Sequence, residues 1–327
     1  MMRIFAAALL IPMVVPMGMA HADDSCSDVI IRSVPGTWET DENMSPTEDA
    51  GMMGGFNKQA RDNADGVTVD AQIIPYPAQF GGVAGIATQD KIPYPESRDI
   101  GVDNTVKKLV EDATNCPDSK IVLAGFSQGA DVAGDAMEVI AQGKVDGITQ
   151  DDVDQVFLYA DPKRSANEEL VSKVDVDGQG IMGTARDFNG YDDVFTFCLK
   201  GDAVCAVPED STEVTGVLSA MGGDDEVKDS PLADAVASLG VMNLDKGAGG
   251  DHGALQSFFS TMSDPNAIKT ALEALSQVKL TPEQIDALVS LAGSHGGPEG
   301  HTAYATQKTA PDGTTPIEWG AKQAVAL

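Results

Sequence analysis

Ser127 is the residue of this chain whose surroundings most clearly indicate chemistry, because it lies in the run G-F-S-Q-G at residues 125–129. An apolar run, residues 121–124, precedes it, and a helix-like stretch, residues 130–141, follows it. A serine at such a junction is typical of a nucleophile elbow, in which flanking glycines remove Cβ atoms that would collide in the tight turn. The start of the helix favours developing negative charge, with the N–H of Gln128 as the first donor. The alternative interpretation is a glycine-rich turn with an incidental serine.

A serine nucleophile needs a histidine base, and the chain contains four histidines. His21 lies in the N-terminal leader, whereas His252, His295 and His301 all follow Ser127, as the base does in α/β-hydrolases. His252 and His295 lie in glycine-flanked stretches where a solvent-exposed imidazole is expected. His301 follows the helical stretch that contains them and precedes Thr302-Ala303-Tyr304 before the C-terminal helical pattern, which favours its return to the catalytic edge of a sheet.

The base in turn needs an orienting carboxylate, and Asp202 is the preferred candidate. It lies between Cys198 and Cys205, in a loop that a disulfide would hold rigid. Its predicted role is to fix the tautomer of His301 and to stabilise the imidazolium form. Asp161, in an Asp-Pro turn, is the alternative acid, although the turn itself favours a structural role.

Apolar runs alternate with helical patterns along the chain, which predicts a mostly parallel sheet covered by helices on both faces. The predicted strands are residues 29–34, 67–74, 120–124, 155–160 and 193–198. The predicted helices are residues 102–114, 128–142 and 316–325.

The first 22 residues resemble a secretory signal peptide. Arg3 is followed by an apolar run, residues 4–15, and by Ala20-His21-Ala22, after which cleavage is expected. The apolar run is interrupted by prolines and is too short to span a membrane. We therefore expect an exported protein that is soluble or held only peripherally at a surface.

Four cysteines follow the predicted cleavage point, which favours disulfides over metal ligation in an exported chain. They are Cys26, Cys116, Cys198 and Cys205. Three pairings are conceivable, and the sequential one is the simplest.

The chain has a formal net charge of −30, from 51 acidic and 21 basic residues. This excess argues against nucleic acid or an anionic membrane as an electrostatic partner. We expect no metal and no other cofactor, and we expect a monomer.

Between Cys205 and His301 lie 95 residues whose composition and periodicity are mostly helical. We predict a helical insertion at residues 206–300, carried by a core of residues 23–205 and 301–327. Amphipathic helices of this kind most often pack on the main domain, and a lid is the alternative.

Taken together, these motifs resemble the cutinase family of serine esterases, and the resemblance spans nearly the whole mature chain. They are Cys26, Cys116-Pro117, the run G-F-S-Q-G-A at 125–130, and Cys198 with Cys205 enclosing Asp202. The runs V-P-G-T-W-E at 34–39, Y-P-A at 76–78 and H-T-A-Y-A-T at 301–306 are similar to cutinase-like hydrolases of mycolate-containing actinobacteria. That branch has phospholipase and thioesterase activity tied to envelope lipids.

The resemblance implies a three-layer α/β-hydrolase fold, to which this chain adds the predicted helical insertion before the catalytic histidine. It also implies a triad of Ser127, Asp202 and His301, an oxyanion hole from the Gln128 amide with Thr37, and disulfides Cys26–Cys116 and Cys198–Cys205. The long segment before His301 departs from the short connection that is usual in the family, so the open, lidless character of cutinases is not carried over.

These observations predict a secreted serine esterase or lipase-type hydrolase that acts on acyl esters or thioesters of envelope lipids, with peripheral contact to the cell envelope. Two alternatives are an acyltransferase that uses the same acyl-enzyme and a non-catalytic envelope-binding protein.

Overall fold

The computed structural model of the 327-residue chain describes residues 26–79, 91–172, 174–182, 185–202, 204–206 and 298–326. The predicted signal peptide, His252, His295 and almost all of the predicted helical insertion lie outside these ranges.

Five parallel strands form the central sheet, in the spatial order β2-β1-β3-β4-β5. They are β1 (Val29–Val34), β2 (Val69–Ile73), β3 (Lys120–Phe126), β4 (Gln155–Tyr159) and β5 (Val194–Phe197). Each coincides with a predicted strand to within two residues at either end.

Helices cover the sheet on both sides. They are α1 (Gly51–Asp62), α2 (Tyr94–Asn115), α3 (Gln128–Ala141), α4 (Pro298–His301) and α5 (Pro316–Ala324), with short 3₁₀ turns at Gln150–Asp152 and Ala303–Ala305. None of the helices in the described ranges combines the length and the apolar character that crossing a bilayer requires.

Consecutive strand residues point to opposite faces of the sheet, and here both faces are apolar, as expected for a sheet buried on both sides. Ile31 and Val122 belong to the core cluster that includes residues of α1 and α5. Their neighbours Ile30 and Ile121 belong to the cluster that includes residues of α2 and α3. The predicted three-layer α/β fold with a mostly parallel sheet is therefore confirmed.

Arg32 of β1 is a charged residue inside this core. Its guanidinium lies 2.6 Å from the carboxylate of Asp112 on α2 and 2.8 Å from that of Asp70 on β2. Because a buried charge is tolerated only when it is paired, this arrangement ties α2 and the edge strand to β1.

The strand order determines where a site can form. From β1 the chain moves to β2 on one side and then returns to β3 on the other, so the connections that follow β1 and β3 diverge. In open parallel sheets a crevice opens at such a switch point, at the carboxyl ends of the strands. Thr37 follows β1 and Ser127 follows β3 at this edge.

Two disulfides join the pairs Cys26–Cys116 and Cys198–Cys205, which is the sequential pairing. The first connects the segment before β1 to the end of α2. The second closes a loop directly after β5 in which Asp202 lies.

Candidate active site

Ser127 occupies a turn between β3 and α3 whose backbone conformation is rare for a residue with a side chain, with φ 57° and ψ −122°. The two flanking glycines permit this turn. A Cβ on Gly125 would lie 2.2 Å from the carbonyl oxygen of Gly129, and a Cβ on Gly129 would lie 2.0 Å from that of Val34. The predicted elbow geometry is thus present, and the adjoining strand and helix fix the position of the serine.

His301 lies at the end of α4 and contacts the serine directly. Its Nε2 is 3.0 Å from Ser127 Oγ, within hydrogen-bond distance. His301 is 1% exposed and Ser127 is 6% exposed. The ring of Phe126 packs against the imidazole with ring centroids 4.9 Å apart, so the base is held from one side by an apolar neighbour.

Asp202 contacts the other ring nitrogen of His301. Its Oδ1 lies 2.8 Å from His301 Nδ1 and accepts the backbone N–H of Val204 at 2.9 Å. The backbones come unusually close here, since a Cβ on Gly300 would lie 2.8 Å from the carbonyl group of Gly201. The glycine before His301 therefore lets α4 approach the acid loop.

Asp202 has no exposed surface, and its electrostatics follow from its neighbours. Burial alone raises the pKa of this carboxyl. The attraction and hydrogen bond from His301, together with the hydrogen bonds from Tyr304 and the Val204 backbone, outweigh burial and lower the pKa below its usual value of 3.8. The group is therefore an anion at neutral pH.

Thr37 and Gln128, the two predicted oxyanion-hole residues, are neighbours in the structure. Thr37 Oγ1 donates to Gln128 Oε1 at 3.3 Å, and Gln128 Nε2 donates to the carbonyl oxygen of Gln79 at 3.1 Å. As the first residue of α3, Gln128 has a backbone N–H with no acceptor inside the helix. That N–H belongs to the residue directly after the serine.

Glu39 holds the loop that carries Thr37, and sequence reasoning did not single it out. Its carboxylate accepts the backbone N–H of Gly36 at 2.9 Å and that of Met52, in the first turn of α1, at 3.0 Å. The loop contains Trp38 at φ 61°, whose N–H donates to the carbonyl oxygen of Ala78 at 2.9 Å. Glu39 thus fastens a strained loop to a helix N-terminus, where a negative charge is favoured.

Asp161, the alternative acid, has a different set of partners. Its Oδ2 is paired with Arg186, and its Oδ1 accepts the backbone N–H of Lys163 at 3.0 Å. Burial raises its pKa to about 6, against the opposing effect of Arg186. Arg186 also binds Asp131 and Asp135 on α3, each at 2.9 Å. Asp161 therefore belongs to a buried ionic cluster beside α3, and the observed partner of His301 is Asp202.

Tyr304 is the other site residue that sequence reasoning left without a role. Its hydroxyl donates to Asp202 Oδ2 at 2.6 Å. The one available signal was its position three residues after His301, which places both side chains on one side of a helical turn. Within the described ranges, no group of three or more His, Cys, Asp or Glu side chains is arranged to hold a metal ion.

The chain is similar to proteins of a known family. The family model of cutinases matches residues 25–218, which is more than half of the chain. A "Carboxylesterase Culp6 homolog" from Corynebacterium glutamicum is 29% identical over 212 residues, covering 57% of this chain and 67% of that protein.

Two other proteins are similar over a shorter stretch or at a lower sequence identity. "Cutinase 4" from Emericella nidulans is 33% identical over 98 residues, which cover 30% of this chain and 31% of that protein. The crystal structure of lysin B from Mycobacteriophage D29 has 16% sequence identity and a TM-score of 0.48, covering 91% of this chain and 99% of that one.

Proposed function

The chain belongs to the cutinase family of ester hydrolases, and on that premise we propose that it is a secreted serine esterase that cleaves acyl ester or thioester bonds of lipids. The observation that supports this most strongly is the continuous series of contacts from Asp202 through His301 to Ser127, at 2.8 and 3.0 Å. A carboxylate, an imidazole and a hydroxyl that contact one another in this way are the catalytic groups of serine hydrolases on several unrelated folds.

In the proposed mechanism, His301 Nε2 accepts the proton of Ser127 Oγ as the oxygen attacks the substrate carbonyl. The new C–O bond gives a tetrahedral intermediate. His301 then passes the proton to the leaving oxygen or sulfur, the bond to the leaving group breaks, and an acyl-enzyme remains. Water, deprotonated by the same imidazole, attacks the acyl carbon. The bond from that carbon to Ser127 Oγ then breaks, His301 returns the proton to Oγ, and the acid is released.

Asp202 acts through His301. Because its carboxylate accepts from Nδ1, the proton of the neutral imidazole is held there and Nε2 is left free to accept the serine proton. When His301 becomes an imidazolium, the buried anion beside it offsets the new positive charge. The low pKa of Asp202 keeps the carboxylate ionised for this purpose.

The negative oxygen of the tetrahedral intermediate is stabilised by the backbone N–H groups of Gln128 and Thr37, since the Thr37 hydroxyl already donates to Gln128 Oε1. Both residues lie at the carboxyl edge of the sheet and are joined by a side-chain hydrogen bond. Donors that are fixed before the reaction stabilise charge that develops during it, and each typically contributes about 10²–10³ in turnover.

Lipid esters of the cell envelope are the proposed substrates. The similarity to cutinase-like hydrolases of mycolate-containing actinobacteria supports this assignment, as does the signal-peptide pattern of residues 1–22. The two disulfides are consistent with an extracellular location. In the same proposal, residues 23–205 and 301–327 form the catalytic core, and residues 206–300 are a helical insertion.

The Ser127→Ala variant tests the catalytic assignment. It should lower turnover of p-nitrophenyl acyl esters by a factor on the order of 10⁶ while the melting temperature stays close to that of the parent. Ser119→Ala is a matched control, since that hydroxyl donates to the Ser27 carbonyl at the opposite edge of the sheet. Retained turnover in Ser127→Ala would refute the assignment.

The lipid role requires a separate experiment. Envelope lipids should be compared between cells that carry the active protein and cells that carry Ser127→Ala. The proposal expects acyl lipids to accumulate in the inactive strain, and identical lipid profiles would remove the support for an envelope substrate even if esterase activity is intact.

A further inference from the structure

The carboxylate of Asp202 has two oxygens, and both accept hydrogen bonds from the segment that follows the predicted insertion. Oδ1 accepts from His301 Nδ1 at 2.8 Å, and Oδ2 accepts from the hydroxyl of Tyr304 at 2.6 Å. The two donors are three residues apart, on α4 and on the 3₁₀ turn that follows it. Two residues one helical turn apart therefore hydrogen-bond to the two oxygens of one carboxylate.

The neighbours of the Tyr304 hydroxyl determine the direction of its hydrogen. The backbone N–H of Leu199 donates to Tyr304 Oη at 3.2 Å, and an N–H group can only donate. The ionised carboxylate of Asp202 can only accept. The sulfur of Cys205, 3.5 Å away, is a weak acceptor and carries no hydrogen because it is in a disulfide. The hydroxyl hydrogen therefore points at Asp202 Oδ2.

Burial makes this hydrogen bond important for the carboxylate. Asp202 and Tyr304 are both fully buried, so solvent water does not replace a missing donor. Among the described residues, Arg164 is another charged group near this pair, and its Nε donates to the Cys205 carbonyl at 2.6 Å, not to the carboxylate. Burial also raises the pKa of Tyr304 well above 10, so the phenol stays protonated and remains a donor.

Without the hydroxyl, Oδ2 would be a buried anionic oxygen that has lost its donor, which is costly. The carboxylate could reduce that cost by rotating about its Cβ–Cγ bond to share the donors of Oδ1. Such a rotation would move Oδ1 out of line with His301 Nδ1. The fixed orientation of the imidazole therefore depends on a donor at the second oxygen.

We propose that Tyr304 is a positioning residue of this site, whose hydroxyl holds the Asp202 carboxylate in the rotation that aligns Oδ1 with His301. This inference rests on the proposed function, because it assigns Tyr304 a part in the catalytic use of Asp202 and His301. Tyr304 itself acts only through the carboxylate.

The first test compares Tyr304→Phe with Tyr159→Phe. Tyr159 is equally buried, lies in the same core cluster, and loses a comparable hydroxyl bond, to the Pro316 carbonyl at 3.2 Å. Tyr304→Phe should lower kcat about ten- to a hundredfold with KM nearly unchanged, while Tyr159→Phe keeps the kcat of the parent. Similar kcat values for the two variants would overturn the inference.

The pH profile of kcat/KM supplies a readout that a purely structural role would not change. Loss of the donor leaves more negative charge facing the imidazole, so the acid limb of Tyr304→Phe should move to higher pH. Incorporation of 3-fluorotyrosine at position 304 gives a more acidic phenol, a stronger donor, and should move the limb to lower pH. The fluorinated protein retains the ring and hydroxyl, so it decides the question even if Tyr304→Phe does not fold. An unmoved limb in the fluorinated protein would contradict the inference.

A double-mutant cycle separates this inference from the proposed function. In an Asp202→Asn background the change Tyr304→Phe should no longer alter kcat, because the carboxylate through which it acts is gone. A full effect in that background would overturn the positioning role.

If the parent protein hydrolyses no ester, or if Ser127→Ala remains active, the proposed function fails and the inference fails with it. An active parent with an unaffected Tyr304→Phe rejects the inference alone.

Discussion

The side chains of the site are buried, and at the scale of single residues this burial determines their charge states. Asp202 is cut off from water and yet anionic, because His301, Tyr304 and the Val204 backbone all donate to it. Each of these donors lowers the pKa of the carboxyl against the opposing effect of burial. Together they keep the buried carboxylate ionised.

The Asp202→Asn variant tests the role of this charge. An amide in this position retains the shape of the side chain but can favour the wrong tautomer of His301, so kcat for p-nitrophenyl esters should fall by a factor of about 10⁴. Asp154→Asn is the control, because Asp154 also accepts a backbone N–H, at 2.7 Å from Ile121, but at the amino edge of the sheet. Equal kcat values in the two variants would show that the charge at position 202 is unimportant for catalysis.

The elbow pattern, the cysteines around Asp202 and the position of His301 before the terminal helix made Ser127, Asp202 and His301 the predicted triad, and the structure brings these side chains into one series of hydrogen-bond contacts. Tyr304 and Glu39 were not identified. Their roles depend on hydrogen bonds between segments far apart in the chain, such as the contact of Tyr304 with a loop about 100 residues earlier. No local spacing rule encodes such a contact.

At the scale of elements, two loops and a helix start bring the reacting groups together. The loop after β1 carries Thr37 and contains the strained Trp38, and Glu39 fastens this loop to α1. Strained loops keep their conformation only when surrounding contacts fix it. The position of Thr37 is therefore expected to depend on the carboxylate of Glu39.

The Glu39→Gln variant should lower kcat about tenfold with a smaller change in KM, because one of the two backbone N–H groups loses its acceptor and the loop is freed. Steady-state kinetics with p-nitrophenyl esters measure both parameters. Glu48→Gln, an exposed residue near the same loop, is the control and should behave as the parent does. A KM effect without a kcat effect would place Glu39 in substrate binding instead of loop positioning.

The two disulfides should have separable effects. The pair 26 and 116 closes a loop of 90 residues and the pair 198 and 205 a loop of 7, so restriction of the unfolded chain contributes about 4.6 and about 2.4 kcal/mol. Replacing the first pair with alanine should lower the melting temperature more. Replacing the second should lower kcat more, because that loop carries Asp202. Thermal denaturation and kinetics on both double variants test this, and the reverse ranking of kcat would contradict it.

The helices show where sequence patterns were insufficient. Helix α1 was not predicted, since Gly54 and Gly55 lower its intrinsic helix propensity, yet Met53 and Phe56 stabilise it by packing into the core. Helix α2 begins at Tyr94, eight residues before the predicted start. Strands, whose apolar runs fill both faces of the sheet, were predicted closely because their signal is local.

At the scale of the whole molecule, charge is the dominant property. The chain carries a formal net charge of −30, and a few of its carboxylates are buried. Burial raises the pKa of Asp161 to about 6. In contrast, the pKa of Asp202 lies below its usual 3.8, since its hydrogen-bond donors outweigh burial. These opposite shifts contribute to the pH dependence of stability in opposite directions.

These two groups should make the fold more stable as the pH falls from about 7 toward 4. The stabilisation that comes from protonated Asp161 is fully present below pH 3.8. It is lost as the pH rises through the folded pKa of about 6. The contribution of Asp202 is present above 3.8 and lost as the pH falls through its lower folded pKa. The melting temperature should therefore be a few degrees higher at pH 5 than at pH 7.5, and its rise should weaken below pH 3.8 as the contribution of Asp202 is lost.

Two controls isolate the contribution of Asp161 from general charge repulsion. Asp161→Asn should flatten the change in melting temperature between pH 5 and 7.5, whereas Asp103→Asn, at an exposed position on α2, should not. In about 1 M salt the general repulsion is screened, and the part due to buried Asp161 should persist. A pH response that disappears entirely in salt would show that Asp161 does not contribute.

The central claim is that His301 makes the Ser127 hydroxyl nucleophilic, and a fluorophosphonate probe reports this directly. The rate of covalent labelling should be measured by mass spectrometry in the parent and in His301→Gln. We predict a single adduct on Ser127 in the parent and labelling at least about 10³ times slower in the variant. Absence of an adduct on Ser127, or equal labelling rates in the two proteins, would contradict the account.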